Sequence, residues 1–215
     1  MYSKGPSILL GFHGCSKTTQ QTIINQNNIL KASKNDYDWL GHGVYFWEND
    51  LERAEQWAKE HCERKKHEDQ KLGNLKHEDD YTPAVIGAYI EAGNCLDLLK
   101  TELRSQLKEA YFELVYSYEL ENKPLPENSG LRNGITMYRK LDCAVIETQH
   151  ILMKRSSRVS YDTVRGVFFE GEDIYKGSGI KEKNHIQICV RNTNNIKCFF
   201  IPRKSEENGF AHLNN

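Results

Sequence analysis

The order in which strand-like and helix-like segments follow one another leaves few folds open to this chain. Six short apolar or β-branched runs are typical of strands: 9–13, 44–47, 84–90, 164–169, 186–190 and 196–201. Two long segments with helical spacing of apolar residues stand between the early and the late runs, from Leu96 to Glu119 and from Tyr138 to Lys154. Helices grouped in this way predict an α+β domain, with a sheet core and flanking helices.

Composition and charge narrow the kind of protein. The chain has 215 residues, of which 38% are hydrophobic and 27% charged, as in an ordinary globular domain. We expect one domain over residues 1–205 and a polar tail over 206–215. The formal net charge is -1, so no overall positive field draws the chain to nucleic acid or to an anionic membrane.

The chain shows no targeting or membrane signal, since its N-terminal apolar run is too short for a secretory signal and no stretch is long enough to span a bilayer. Six scattered cysteines without a CxxC pair suggest reduced thiols, so we expect a cytoplasmic protein. His61, Cys62 and His67 could ligate a metal, but a solvated helix face explains them as well, and we expect no metal site.

Two glycine-flanked segments are the first candidates for chemistry. One is Gly11–Gly14, after the first strand, and the other is Gly41–Phe46, at the second. Glycine lets a ligand approach the main chain closely, while His13 or Tyr45 can supply a side-chain contact. Taken singly, each segment is also explained by a core histidine or an ordinary strand aromatic.

Read together and in order, HGCSKTTQQTIINQNNIL and DWLGHGVYFWENDLERAEQWA resemble the catalytic domain of the poly-ADP-ribose polymerase and diphtheria-toxin-like ADP-ribosyltransferases. That pattern is His-Gly on a first strand, a helix, a Gly-x-Gly-[Val/Ile]-Tyr-Phe strand and a second helix. Bacterial ADP-ribosyltransferase-like proteins share the GHGVYFWE motif and an ending like GSGIKEKNHIQICVRN. The resemblance spans nearly the whole chain and implies the split mixed or antiparallel sheet core of these enzymes.

The resemblance implies that NAD is bound and consumed as a substrate. His13 would hydrogen-bond the adenosine-side ribose and the main chain of Gly14 would hold the nicotinamide carboxamide. Tyr45 would stack on the nicotinamide ring beside Phe46, and Trp57 of the next helix would cover the ring's other side. Where the family has a small hydroxyl residue on that helix, this chain has Arg53 or Ala54.

A late-strand glutamate that the family uses in catalysis is missing here. The matching strand reads HIQICV, and alternation places His185, Gln187 and Cys189 on one face. The resemblance therefore assigns Gln187 to the glutamate's position, where a neutral amide suits single transfer. An edge-strand polar residue is the alternative interpretation.

The loop before that strand lies where the family recognises its acceptor. Its candidate residues are Glu170, Glu172, Tyr175 and His185, and either glutamate could deprotonate the acceptor or simply be solvated. We therefore predict a mono-ADP-ribosyltransferase.

The acceptor is a protein or a nucleic acid, and related bacterial enzymes act as toxins in toxin-antitoxin or phage-defence systems. An antitoxin or inhibitor protein is a possible partner. Five basic residues could form a patch that contacts the phosphates of a nucleic-acid acceptor, although a solvated helix face explains the same charges. They are Arg132, Arg139, Lys154, Arg155 and Arg158. A non-catalytic NAD or ADP-ribose binding module and an NAD glycohydrolase remain the alternative functions.

Overall fold

The structure is a computed structural model that describes residues 7–26, 28–132 and 135–203. The helices of these ranges are Lys17–Asn25 (α1), Leu51–Lys71 (α2), Thr101–Leu120 (α3) and Lys140–Arg155 (α4). The strands are Ile8–Ser16 (β1), Val44–Glu48 (β2), Pro83–Glu91 (β3), Cys95–Asp97 (β4), Asn128–Arg132 (β5), Ile135–Arg139 (β6), Thr163–Phe168 (β7), His185–Val190 (β8) and Ile196–Phe200 (β9). The expected polar tail, 206–215, lies outside the described residues.

Seven of these strands form one mixed sheet, so the α+β prediction is confirmed. The strand order is β4-β7-β8-β2-β1-β3-β9, and only the β4–β7 pair is parallel. The strands β5 and β6 form a separate two-stranded hairpin. The sheet therefore places β8, β2 and β1 side by side at its centre.

Local sequence signals explain where the first two helices begin. The Ser16 hydroxyl accepts a hydrogen bond from the Thr19 N–H at 3.3 Å, which caps α1. The Asp50 carboxylate accepts the N–H of Arg53 at 2.9 Å and caps α2. Helix α2 packs its buried residues against β1 and β3, whereas α3 and α4 pack against each other. The buried residues form separate clusters around the sheet.

The structure corrects two of the expected boundaries. The long helix begins at Thr101, because Cys95–Asp97 pairs in parallel with β7 and buries Leu96 completely. Helix α4 begins at Lys140 rather than Tyr138, because the residues up to Arg139 belong to strand β6 of the β5–β6 hairpin. The β4–β7 pairing joins distant segments, which local periodicity does not encode, whereas the β5–β6 hairpin pairs neighbouring ones.

Candidate functional site

The sheet opens between its two central strands, next to His13. Strand β1 pairs with β3 along its whole length, but with β2 only at Gly11 and Phe12. One residue further on, His13 Nδ1 lies 2.8 Å from the main-chain oxygen of Tyr45. A carbonyl oxygen only accepts, so Nδ1 carries the hydrogen and donates it. The imidazole thus bridges the strands where their ladder ends.

The protonation of His13 follows from this contact. Burial lowers the pKa of the ring, against the opposing effect of the bond to Tyr45, so the ring is neutral near pH 7. With the hydrogen on Nδ1, the Nε2 atom of the neutral ring is a hydrogen-bond acceptor. His13 also packs against Phe46, with ring centroids 5.8 Å apart. The structure thus brings together His13, Tyr45 and Phe46 from the two sequence motifs.

The Tyr45 side chain is held by its own glycine-flanked turn. Its hydroxyl accepts the Leu40 N–H at 2.8 Å and donates to the Gly41 oxygen at 2.6 Å. Burial raises the pKa of this hydroxyl, so it stays protonated. Gly41 has φ of 75°, a left-handed conformation that a residue with a Cβ adopts only with strain. The motif therefore fixes the orientation of the Tyr45 ring.

A second set of contacts holds the turn from outside. Glu147 of α4 accepts the main-chain N–H of His42 at 2.8 Å and pairs with Arg191, which also donates to the His42 oxygen. Burial alone would raise the pKa of Glu147, but the bonds from Arg191 and from the His42 N–H outweigh it and lower the pKa. The carboxylate is therefore ionised where it supports the turn.

His150, one turn further along α4, makes stability depend on pH. Both its ring nitrogens are buried without a hydrogen-bond partner, and burial, assisted by Arg191, lowers its pKa to about 4. The unfolded ring titrates near 6.5, so between these values the unfolded chain binds more protons. The stabilising effect of the neutral ring is complete above pH 6.5 and is lost as the pH falls towards 4.

Replacing His150 tests this linkage. Between about pH 7.5 and about pH 5, we expect the wild type to lose about 2 kcal/mol more unfolding free energy than His150→Leu. Urea unfolding at the two pH values measures both losses, and the leucine variant is the control for other titrating groups. Equal losses in the two proteins would contradict the assignment.

The remaining cofactor candidates lie along α2 and β8. Trp57 stacks on His61, with centroids 4.6 Å apart and planes at 7°, and contacts Trp47 at 5.6 Å. Gly14 lies directly beneath α2, where an added Cβ would come within 2.4 Å of the Ala54 oxygen. Gln187 is half-buried and pairs in register with Trp47, so it stands on β8, two strands from His13.

The acceptor-loop candidates separate into two groups. Tyr175 is exposed at the end of the loop. At the base of the loop, the main-chain oxygen of Glu172 accepts a hydrogen bond from the main-chain N–H of Glu182. Glu170 and His185 are instead inside the protein: the Glu170 carboxylate accepts from Arg53 at 2.8 Å, and His185 is the first residue of β8, with a fully buried side chain. The interpretation of Glu170 as a solvated carboxylate is therefore wrong.

Arg53 is the residue whose position the sequence did not reveal. The family pattern assigns it only the position of a small hydroxyl residue, yet its side chain is buried between α2 and the late strands and lies over the Trp47 ring. An arginine on the apolar face of α2, one turn after the cap, was the available signal. The expected basic patch also loses a member, because Arg139 stacks on Trp39 and Phe168, 4.1 and 5.1 Å from their centroids.

The cavities of the described part of the chain include four with volumes of about 330, 680, 510 and 300 Å³. His13, Tyr45 and Gln187 line none of these four. Among the described residues, no group of three or more histidine, cysteine or acidic side chains could hold a metal ion. None of the helices in the described ranges is long and apolar enough to cross a membrane.

Comparison with protein-family models, with curated protein sequences and with solved structures finds no match to this chain. The function must therefore be inferred from the residues and their geometry.

Proposed function

We propose that this protein is a mono-ADP-ribosyltransferase that consumes NAD. The observation that carries the proposal is the opening between β1 and β2, where His13 bridges to Tyr45 and keeps Nε2 as an acceptor. An acceptor nitrogen on a ring that packs 5.8 Å from the Phe46 ring suits a ligand that combines ribose hydroxyls with a flat ring. The order of the motifs along the chain and the mixed sheet with flanking helices support the same enzyme class.

In the proposed reaction, these residues position NAD and take no part in covalent bonding. His13 Nε2 accepts from a ribose hydroxyl, the face of Tyr45 stacks on the nicotinamide ring, and the Gln187 amide hydrogen-bonds the other ribose. The bond between ribose C1 and the nicotinamide nitrogen breaks, and the electron pair leaves with nicotinamide. A nucleophilic atom of the acceptor forms the new bond to C1 and gives its proton to a base or to water.

The acceptor side is formed by the loop before β8. The exposed Tyr175 and the carboxylate of Glu172 are its candidates for contact with a protein or a nucleic acid. Because the Oε2 atom of Glu170 accepts from the Arg53 guanidinium, deprotonation of the acceptor by Glu170 would fall to its Oε1 atom. A cytoplasmic toxin controlled by an antitoxin protein is the biological setting that fits the proposal.

Incubation of the purified protein with labelled NAD and a cell lysate tests the function. We expect nicotinamide release and transfer of label, with protease or nuclease digestion showing which class of macromolecule carries it. We expect Gln187→Ala to lower the transfer rate by about tenfold or more, since it removes a hydrogen bond made to the reacting ribose. His67→Ala is the matched control, because His67 lies on the exposed part of α2.

The result also separates the alternative functions. Free ADP-ribose as the sole product would identify an NAD glycohydrolase. Binding of NAD without nicotinamide release would instead identify a non-catalytic binding module, which the neutral Gln187 favours because it carries no charge to stabilise an oxocarbenium ion.

A further inference from the structure

Buried hydrogen-bonding atoms without a protein partner cluster at the start of α2. They are Nε and Nη1 of Arg53, Nε1 of Trp47 and Nε2 of His185. The Arg53 Cζ atom lies 5.6 Å from the Trp47 ring centroid, and the Trp47 and His185 rings are 6.3 Å apart. The Arg53 side chain is 9% exposed and that of His185 is 0% exposed. Three neighbouring side chains thus direct unmatched polar atoms into the interior.

The contacts of His185 define which hydrogens the cluster offers. Its Nδ1 atom lies 2.7 Å from the Lys183 oxygen and therefore donates, because a carbonyl only accepts. Burial lowers the pKa of the ring, so His185 is neutral and its Nε2 carries a lone pair. The cluster then presents N–H donors from Arg53 and Trp47 together with one acceptor from His185.

Only part of the Arg53 guanidinium has a carboxylate partner. Glu170 meets a single guanidinium nitrogen, Nη2, at 2.8 Å, although the guanidinium can bind an oxyanion through two N–H groups at once. The neighbouring carboxylates have other partners: Asp50 accepts the main-chain N–H of Arg53, and Glu48 pairs with Arg165. Each buried donor left unmatched costs about 1–3 kcal/mol, so a cluster of them indicates a ligand.

A cavity ends beside the cluster at His185. It has a volume of about 510 Å³, and His185 lines it together with Asn184, whose side-chain oxygen is also buried without a partner. A tetrahedral oxyanion is much smaller than this volume. A ligand in this cavity lies beside the ends of β2 and β7, and it reaches the fully buried His185 side chain only when the Glu170 carboxylate moves off Arg53.

We propose that Arg53, Trp47 and His185 bind a hydrogen phosphate group, either inorganic phosphate or a phosphate monoester that keeps one P–OH hydrogen. Phosphate oxygens accept from the Arg53 guanidinium and the Trp47 indole, and the P–OH group donates to His185 Nε2. The anion takes the place of the Glu170 carboxylate on Arg53. The site does not depend on NAD chemistry, since no NAD-binding residue of the proposed function belongs to it.

Titration of the full chain with potassium phosphate at about pH 6.5, followed through its indole N–H resonances in ¹H–¹⁵N spectra, tests the site. The Trp47 resonance, identified with Trp47→Phe, should shift saturably. The Trp39 indole already donates to the Met137 oxygen at 3.0 Å and should not shift. Sulfate has no O–H at this pH, so we expect it to bind at least about tenfold more weakly. Saturation by glycerol 3-phosphate at lower concentration would identify a phosphate ester as the natural source.

Two substitutions in the site should change the affinity for phosphate in opposite directions. Arg53→Met should abolish the saturable shift, whereas Arg64→Met, on the exposed side of the same helix, should leave it unchanged. Glu170→Gln removes the competing carboxylate and should tighten binding by about tenfold, a gain that a folding defect cannot mimic. Phosphate shifts no larger than those from chloride, equal binding of sulfate, or no gain in Glu170→Gln would overturn the proposal.

Discussion

Gly14→Ala is expected to lower the free energy of unfolding by about 3 kcal/mol or more, because the added methyl group overpacks a closed interface. Its Cβ would lie 2.4 Å from the main-chain oxygen of Ala54 and 3.1 Å from the Ala58 nitrogen. Both atoms belong to the backbone of α2, so no side-chain rotation relieves the contact. The helix must move away from β1, and urea unfolding should show the loss.

The control for Gly14→Ala is Gly179→Ala. An added Cβ at Gly179 meets no atom within 4 Å, so we expect a change within about 0.5 kcal/mol. If Gly14→Ala were as stable as the wild type, α2 would not pack on β1 as closely as the structure has it. The expected loss also means that the contact with α2 requires a glycine at position 14 even without a cofactor.

Much of the fold was predictable because its signals are local. The capping side chains of Ser16 and Asp50 indicate where the first two helices begin, and the aromatic run after Gly43 indicates β2. Period-two alternation also predicts that Gln187 shares a face of β8 with His185 and Cys189, and the strand pairing sets Gln187 opposite Trp47 and Cys189 opposite Tyr45. A capping hydroxyl or an alternating strand acts within a few residues, so sequence alone reveals it.

The features that were missed depend on partners far along the chain. Leu96 fits a helical periodicity, but pairing with β7 makes its segment a strand. The contact between Arg53 and Glu170 joins residues 117 positions apart, so no local pattern pairs the two side chains. The order of strands in the sheet decides which charged side chains are buried together, and no local pattern specifies that order.

His13→Ala is expected to lower the rate of nicotinamide release by about 100-fold or more, which is typical when a positioned hydrogen-bonding group is removed from an active site. The loss has two parts, since His13 both bridges to Tyr45 and presents Nε2. Initial rates of nicotinamide formation at saturating NAD measure it, provided that the wild type is active.

His13→Asn separates these two parts. The asparagine amide can place an N–H where Nδ1 stands and so retain the bond to the Tyr45 oxygen, but it has no atom in place of Nε2. If Nε2 holds a ribose hydroxyl, His13→Asn should unfold at the same urea concentration as the wild type and still lose its activity. A fully active His13→Asn would show that the histidine only joins the two strands, and the ligand would then have to be held by Tyr45 and the main chain around Gly14.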